Sequence, residues 1–157
     1  MGPLRTAAAL SRLGKLETEL RKQGESCIFR SGSGTHDGFV YGPKLYRISR
    51  SDIFERHEVF APLLAVCSFE KIIELQKRLV TNRQPLVLYV YGENKTSIKQ
   101  LISSLKYGSV GINTTEIQGP DIPTGGFDLA GVGREGGLWG MKQYLTTINR
   151  KGDNLDA

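Results

Sequence analysis

The chain has 157 residues, 39% of them hydrophobic and 24% charged, with a net charge of +5 and a pI near 9.3. A domain of this length buries roughly 68–70% of the surface its unfolded form exposes, and the composition excludes disordered, fibrous and disulfide-stapled classes. No apolar run approaches the roughly 18 residues that a bilayer demands. The N-terminal MGPLRTAAALSRLGKL has no cleavable apolar stretch before its charges. The expectation is a soluble, cytoplasmic protein with no membrane partner. Its 21 Lys and Arg are interleaved with 16 acidic residues rather than gathered into a stripe, so nucleic acid is not expected either. The basic excess suits a phosphorylated cofactor or a carboxylate-bearing substrate.

From Thr6 to Lys22, Leu10, Leu13, Leu16 and Leu20 recur every three or four positions with charges between them, which predicts an amphipathic helix ending at Gly24. A short strand is expected at Cys27–Arg30, followed by a glycine- and serine-rich loop from Ser31 to Gly38. The stretch from Phe39 to Ile48 alternates but contains Pro43, so it reads as an edge or irregular strand. Beyond HEVFAP, the runs LLAVCSFE, LVLYVY and SVGIN are separated by two helical patterns, Ile72 to Val80 and Ile98 to Leu105. Strand, helix, strand, helix, strand is a βαβαβ signature, and such crossovers return the chain to a parallel neighbour. The fold class is therefore α/β, with a parallel sheet expected across Leu63 to Asn113. A loop, TTEIQGPDIP, then a glycine-dense run, a short helix near Trp139 to Tyr144 and a β-prone stretch at Leu145–Ile148 complete the chain, before a polar tail.

Several motifs invite a chemical reading. Gly131, Gly133 and Gly136 spell GxGxxG, but a dinucleotide fingerprint follows directly on a strand, opens a long helix and meets an acidic residue about 20 positions later. None of these conditions holds, so the run reads as a tightly packed glycine turn. Glu58 and Phe60 set a carboxylate and an aromatic ring two residues apart. A carboxylate can accept both hydroxyls of a ribose, and a ring can stack on a flat heterocycle. On the residues alone, a surface acid beside a core phenylalanine is the better reading of the two. His36 and His57 stand in no relay with a serine or cysteine and are read as non-catalytic. Cys27 and Cys67 have no second cysteine or histidine at metal-ligand spacing, which gives no metal site and two buried, reduced thiols. Apolar neighbours raise rather than lower a thiol's pKa, so no catalytic residue is assigned.

Taken in order, MGPLRTAAALSRLGKLETELRKQG, FVYGPKLYRISRSDIFERHEVFAPLLAV, PLVLYVYGENK, KYGSVGINTT and PTGGFDLAGVGREGGLWGMKQYLTT resemble the last third of the aldehyde dehydrogenase superfamily, from Gly2 to about Arg150. The GREGG and YL endings look most like succinate-semialdehyde and related hydroxyaldehyde dehydrogenases. HEVFAP is similar to the family's EEIFGP segment. The resemblance thus implies that Glu58 holds the nicotinamide ribose of NAD or NADP and that Phe60 lies beside the nicotinamide ring. His57 and Ala61 depart from that pattern, the alanine implying slight strain where glycine is usual.

The family's PFGG turn corresponds to Pro123, Thr124, Gly125 and Gly126, so Thr124 becomes a substrate-binding candidate in a smaller, more polar pocket. Thr114 to Ile122 would close the substrate entrance, and Asp128 to Ala130 replace the family's lysine and serine. The implied organisation is a partial catalytic domain at 1–143, an oligomerisation strand at 144–150 and a polar tail at 151–157. The family's nucleophilic cysteine and general-base glutamate match positions upstream of Met1. Losing a covalent nucleophile costs on the order of 10⁶ in kcat, about 8 kcal/mol of barrier. The expectation is therefore a truncated or split NAD(P)-dependent aldehyde dehydrogenase, inactive alone, with an aldehyde substrate in the complete enzyme and assembly as a homo-oligomer or with another dehydrogenase subunit. The alternative is a non-enzymatic interaction module that docks on intact subunits.

Overall fold

Helix α1 spans Ala7–Lys22 and starts where the Thr6 side chain accepts a hydrogen bond from the Ala9 amide at 3.1 Å, satisfying one of the open donors of its first turn. Its 3.6-residue period lines up Leu13, Leu16, Glu17 and Leu20 on one buried face. It stops at Gly24, whose φ of +77° is the left-handed conformation that favours glycine just past a helix end. The computed structural model describes residues 2–32, 38–49, 54 and 58–152. His36, His57 and the end of the polar tail lie outside the described residues.

Two compact units divide the chain, residues 1–69 and 70–157. In the first, β1 (Ser26–Arg30) pairs antiparallel with β2 (Lys44–Arg47), and β2 pairs parallel with β3 (Leu63–Val66) in the register Lys44↔Leu63 to Arg47↔Val66. β2 is therefore the middle strand, not the edge strand that Pro43 suggests. Pro43 sits one residue before the strand, where its missing N–H removes no ladder bond, and its carbonyl accepts from the Ser31 amide at 3.0 Å. The core joins Leu13, Leu16 and Leu20 of α1 to Tyr41, Tyr46 and Ile48, with Val59, Ala61 and Leu63 packed against it.

In the second unit, α2 (Ile72–Val80) precedes β4 (Val87–Val90), and α3 (Lys95–Ile102) carries the chain to β5 (Ser109–Ile112), which pairs parallel with β4. This is the expected α/β crossover. The expected run from Leu63 to Asn113 is thus divided: β3 joins the ladder of β1 and β2, while β4 and β5 form their own. Asn94 caps α3 by accepting from the Ser97 amide at 3.0 Å, and Gln76 donates its side-chain amide to the Gln100 and Leu101 carbonyls near the end of α3. Asn113 adopts φ +54°, and its side chain makes two 2.8 Å bonds to the backbone of Gly92, joining the ends of β4 and β5.

Helix α4 covers Gly137–Lys142, two residues ahead of its expected position. The stretch 145–150 forms no ladder in the single chain, and Leu145 is 72% exposed. Among the described residues no helix is long and apolar enough to cross a membrane. Cys27 is half-buried and Cys67 exposed, and neither forms a disulfide. The expectation of two buried thiols fails because β3 ends at Val66, one residue before Cys67.

Candidate functional site

Directly after the undescribed residues 55–57, the chain passes through Glu58, Val59 and Phe60 before entering β3 at Leu63. Alternation along this stretch sends Val59 toward the core, while Glu58 and Phe60 face away from it. The Phe60 ring is 80% exposed, which removes the reading of it as a core phenylalanine. Ala61 does not adopt a positive φ, so the expected strain at that position is absent.

Glu58, Val59 and Phe60 share a cavity of about 480 Å³ with Arg12, Lys15 and Glu19 of α1, and its floor is the side of Leu13 and Leu16. That volume lies within the range of small-molecule sites, which combine an apolar lining with a few convergent polar groups. Arg12 and Lys15 carry no signal in the sequence beyond their spacing, since i and i+3 charges on a helix are the ordinary solvated face. Only the fold of residues 58–60 against α1 gives that face a wall opposite.

A residue that pattern reading passes over sets the position of α1. Glu17 lies on the leucine face at a helical core position, and it is buried. Its carboxylate accepts hydrogen bonds from the Tyr41 hydroxyl and the Lys44 ammonium, and it pairs with Arg21 at 3.2 Å. The Lys44 ammonium also lies 4.3 Å from the centroid of the Tyr41 ring. Burial alone would raise the Glu17 pKa, but the Lys44 and Tyr41 hydrogen bonds and the charges of Lys44 and Arg21 together hold it below the usual carboxylate value. Burial and the neighbouring Glu17 push the Tyr41 phenol far above its ordinary pKa, and raise Tyr46 as well. The Tyr46 hydroxyl is buried with no hydrogen-bond partner among the described residues. One carboxylate thus ties the helix that forms the cavity wall to the middle strand of the sheet.

The second unit places Thr124 half-buried on a cavity of about 360 Å³, together with Leu86, Arg134 and Gln143 and a lining of glycine backbone. The Thr124 backbone pairs with Glu135 in both directions, at 2.7 and 2.8 Å. A Cβ on Gly125 would lie 2.5 Å from the Gly133 carbonyl oxygen, so the PTGG turn and the glycine run interlock backbone on backbone. Arg134 fastens them: its guanidinium donates to the Gly126 and Gly133 carbonyls at 2.9 and 2.7 Å and lies 4.6 Å from the Phe127 ring centroid. Gly131, Gly133 and Gly136 all have positive φ and lead only to the six-residue α4. The GxGxxG letters therefore form a packed turn. Asp128 to Ala130 close a single 3₁₀ turn there, with Asp128 at φ +50°.

Comparison with known proteins follows the same outline. The model of the aldehyde dehydrogenase family matches residues 1–149. The chain is 36% identical over 92 residues to a non-phosphorylating aspartate-semialdehyde dehydrogenase of Halomonas elongata, covering 59% of this chain and 19% of that protein. It is 29% identical over 147 residues to a glutarate-semialdehyde dehydrogenase of Pseudomonas aeruginosa, covering 92% of this chain and 30% of that one. Among solved structures, lactaldehyde dehydrogenase from Escherichia coli superposes with a TM-score of 0.83 at 27% identity, over 94% of this chain and 31% of its own. An aldehyde dehydrogenase from Bacillus cereus in complex with NAD+ superposes with a TM-score of 0.78 at 26% identity, over 92% of this chain and 30% of its own. The chain spans less than a third of the length of these relatives. With the matched model running through all but the last residues, the chain belongs to the aldehyde dehydrogenase family.

Proposed function

We propose that these residues form the C-terminal portion of an NAD(P)-dependent aldehyde dehydrogenase, contributing the nicotinamide end of the cofactor site and a substrate-side turn to the oxidation of an aldehyde to a carboxylic acid. The observation that carries this reading is the pairing of Glu58 with an 80% exposed Phe60 on the edge of a 480 Å³ cavity. A core packing role would have buried the ring, whereas an exposed aromatic beside a carboxylate suits a flat heterocycle joined to a ribose. When bound, the nicotinamide supplies the hydride acceptor. Glu58 would accept the ribose hydroxyls and fix the sugar, while Phe60 would cover one side of the heterocycle and keep water from it. Thr124, on its own cavity, would line the aldehyde's path, its hydroxyl suiting a substrate with a polar end.

By itself this 157-residue stretch oxidises no aldehyde, because neither Cys27 nor Cys67 lines the Glu58–Phe60 cavity and no other thiol is present. An exposed, reduced Cys67 suits a reducing compartment such as the cytoplasm. The exposed, unladdered stretch with Leu145 and Ile148 supports assembly through strand addition to another dehydrogenase subunit. The test is to incubate the purified chain with NAD+ or NADP+ and a panel of semialdehydes and hydroxyaldehydes, alone and after co-expression with the N-terminal two-thirds of a relative. NADPH or NADH formation only in the co-expressed sample is expected. Turnover by the chain alone, or co-expressed turnover indifferent to Glu58→Gln, would refute the assignment.

A further inference from the structure

Cys27 stands beside a hydroxyl that the rest of the first unit leaves unused. It lies on β1 directly opposite Tyr46 of β2. Opposed residues of an antiparallel pair share one face of the sheet, with Cβ atoms about 4.5–5.5 Å apart. Here that face is the core, because Cys27 packs against the cluster that α1 forms with Tyr41 and Tyr46. Tyr46 is wholly buried, at 0% exposure, yet its hydroxyl has no hydrogen-bond partner among the described residues. Most buried hydroxyls are paired, so an unpaired one calls for an explanation. The neighbouring Tyr41 hydroxyl is different, since it is committed to the Glu17 carboxylate. Burial raises the Tyr46 pKa, and Glu17 and Cys27 raise it further, so the phenol keeps its proton at neutral pH and stands ready as a donor. Cys27 also bears on the ionisation of Tyr41, which sets its sulfur near both phenols.

We infer that Cys27 is a site of reversible oxidation to sulfenic acid by a hydroperoxide, and that the buried Tyr46 hydroxyl holds the added oxygen. The thiolate attacks hydrogen peroxide: a sulfur–oxygen bond forms as the oxygen–oxygen bond breaks, sulfur loses two electrons, and the departing hydroxide takes up the thiol proton to leave as water. The Cys27 thiol lies 3.3 Å from the Phe29 carbonyl oxygen, to which it donates. A sulfenic acid can keep that bond through its own O–H while its oxygen accepts from Tyr46, so the modification pairs a donor that the thiol leaves unpaired. Cys27 is half-buried, within reach of a molecule as small as peroxide. Cys67 cannot resolve the product as a disulfide. β2 separates β1 from β3, which keeps the two cysteines roughly 10 Å apart at the least, beyond the reach of about 7 Å between Cα atoms. Persistence thus depends on the hydroxyl opposite.

The experiment uses the 157-residue chain with Cys67→Ser, which removes the exposed, competing thiol. The protein is treated with hydrogen peroxide, trapped with dimedone at intervals and read by peptide mass spectrometry, with Cys27→Ser as the blank. Dimedone labelling at Cys27, reversed by prior treatment with dithiothreitol, is expected. Tyr46→Phe deletes only the unpaired hydroxyl and should fold at least as well as the parent when reduced. It should shorten the lifetime of the sulfenic acid about fivefold, the worth of one hydrogen bond, with more sulfinic acid formed from the same loss of thiol. Tyr41→Phe, which removes a hydroxyl already engaged by Glu17, should leave that lifetime unchanged. Oxidation should lower the urea midpoint of Tyr46→Phe more than that of the parent, because the new oxygen is then buried without its donor. Cys27 that stays unmodified in native protein while reacting in urea would overturn the assignment. So would a lifetime indifferent to Tyr46→Phe, or equal loss of stability on oxidation in both proteins.

Discussion

Glu17→Gln should destabilise the first unit by about 3 kcal/mol, because it strands a cation inside the structure. The Lys44 side chain is only 15% exposed, and Glu17 is its sole salt-bridge partner among the described residues. Removing one member of a buried pair costs about 3–5 kcal/mol, most of it from the uncompensated charge that remains. The lower end applies here, since the glutamine oxygen can still accept one hydrogen bond and the Tyr41 ring remains 4.3 Å from the ammonium. At a typical urea dependence of about 1–3 kcal/mol per molar, the unfolding midpoint falls by about 1–3 M. The assay is urea titration with hydrogen exchange read on peptides from α1 and β2, which isolates the first unit from the second.

The accompanying control replaces the whole cluster, Glu17→Leu with Lys44→Met and Tyr41→Phe. Apolar replacement of a complete buried ion pair is commonly neutral or stabilising, so the triple variant should recover to within about 1 kcal/mol of the parent. Additive losses across the single and combined variants would refute the account of the cluster as a coupled pair. The pH dependence has a defined sign. The folded pKa of Glu17 is lowered, so its contribution is fully present above the ordinary value of 4.5 and is lost as pH falls through the lower folded value. The Tyr41 pKa is raised, so its contribution is present below the ordinary 10.0 and is lost as pH climbs above it. Glu17→Gln should flatten the acid limb.

Arg134→Ala removes two hydrogen bonds from backbone carbonyls and the stacking on Phe127, and should destabilise the second unit by about 2–3 kcal/mol, with faster exchange of the amides at Thr124 and Glu135; exchange unchanged at those two amides would show that Arg134 does not fasten the turn. Gly125→Ala puts a Cβ against the Gly133 carbonyl oxygen, and because both partners are backbone, the cost should reach about 3 kcal/mol or abolish soluble expression; a variant with an unchanged thermal midpoint would contradict the interlock.

Periodicity carried most of the fold. Leucines spaced along α1, the two helices flanking Val87–Val90, and the apolar runs at β3 to β5 all read correctly, because each buries one face and the repeat distance of an element is written in its burial. What escaped were properties that depend on a partner elsewhere in the chain. The role of Pro43 turned on whether it stood inside or just before a strand, a difference of one residue. The Glu17 cluster required knowing that Tyr41 and Lys44, 24 and 27 positions further along the chain, return to α1. Arg12 and Lys15 looked like solvated charge until residues 58–60 were laid opposite them. The partner of Leu145–Ile148, if it is another subunit, is written in no single chain. The proposal of Glu58, Phe60 and Thr124 as site residues came only through ordered resemblance over many segments, since two residues in HEVFAP carry too little information alone.

Helix α1 bears two adjacent stripes, one packed in the core and one on the cavity wall, so anchoring and the proposed cofactor role are separable by experiment. Leu13, Leu16, Glu17 and Leu20 face the core, while Arg12, Lys15 and Glu19 line the cavity; Leu13 and Leu16 contribute to both. A ligand that binds only the folded unit stabilises it by about 1.4 kcal/mol at ten times its dissociation constant, whatever the unit's starting stability. In the co-expressed complex, NAD+ should therefore raise the urea midpoint of the parent and of Glu17→Gln by similar free energies, although the variant starts lower. Glu58→Gln should show the reverse pattern, with parental stability in the absence of ligand and little gain in its presence. If folded Glu17→Gln gained nothing from the ligand, the ion pair would be part of the binding apparatus rather than an anchor behind it. The two stripes would then form one coupled unit in which the Glu17–Lys44 tie sets the distance between the Arg12–Lys15 wall and Phe60.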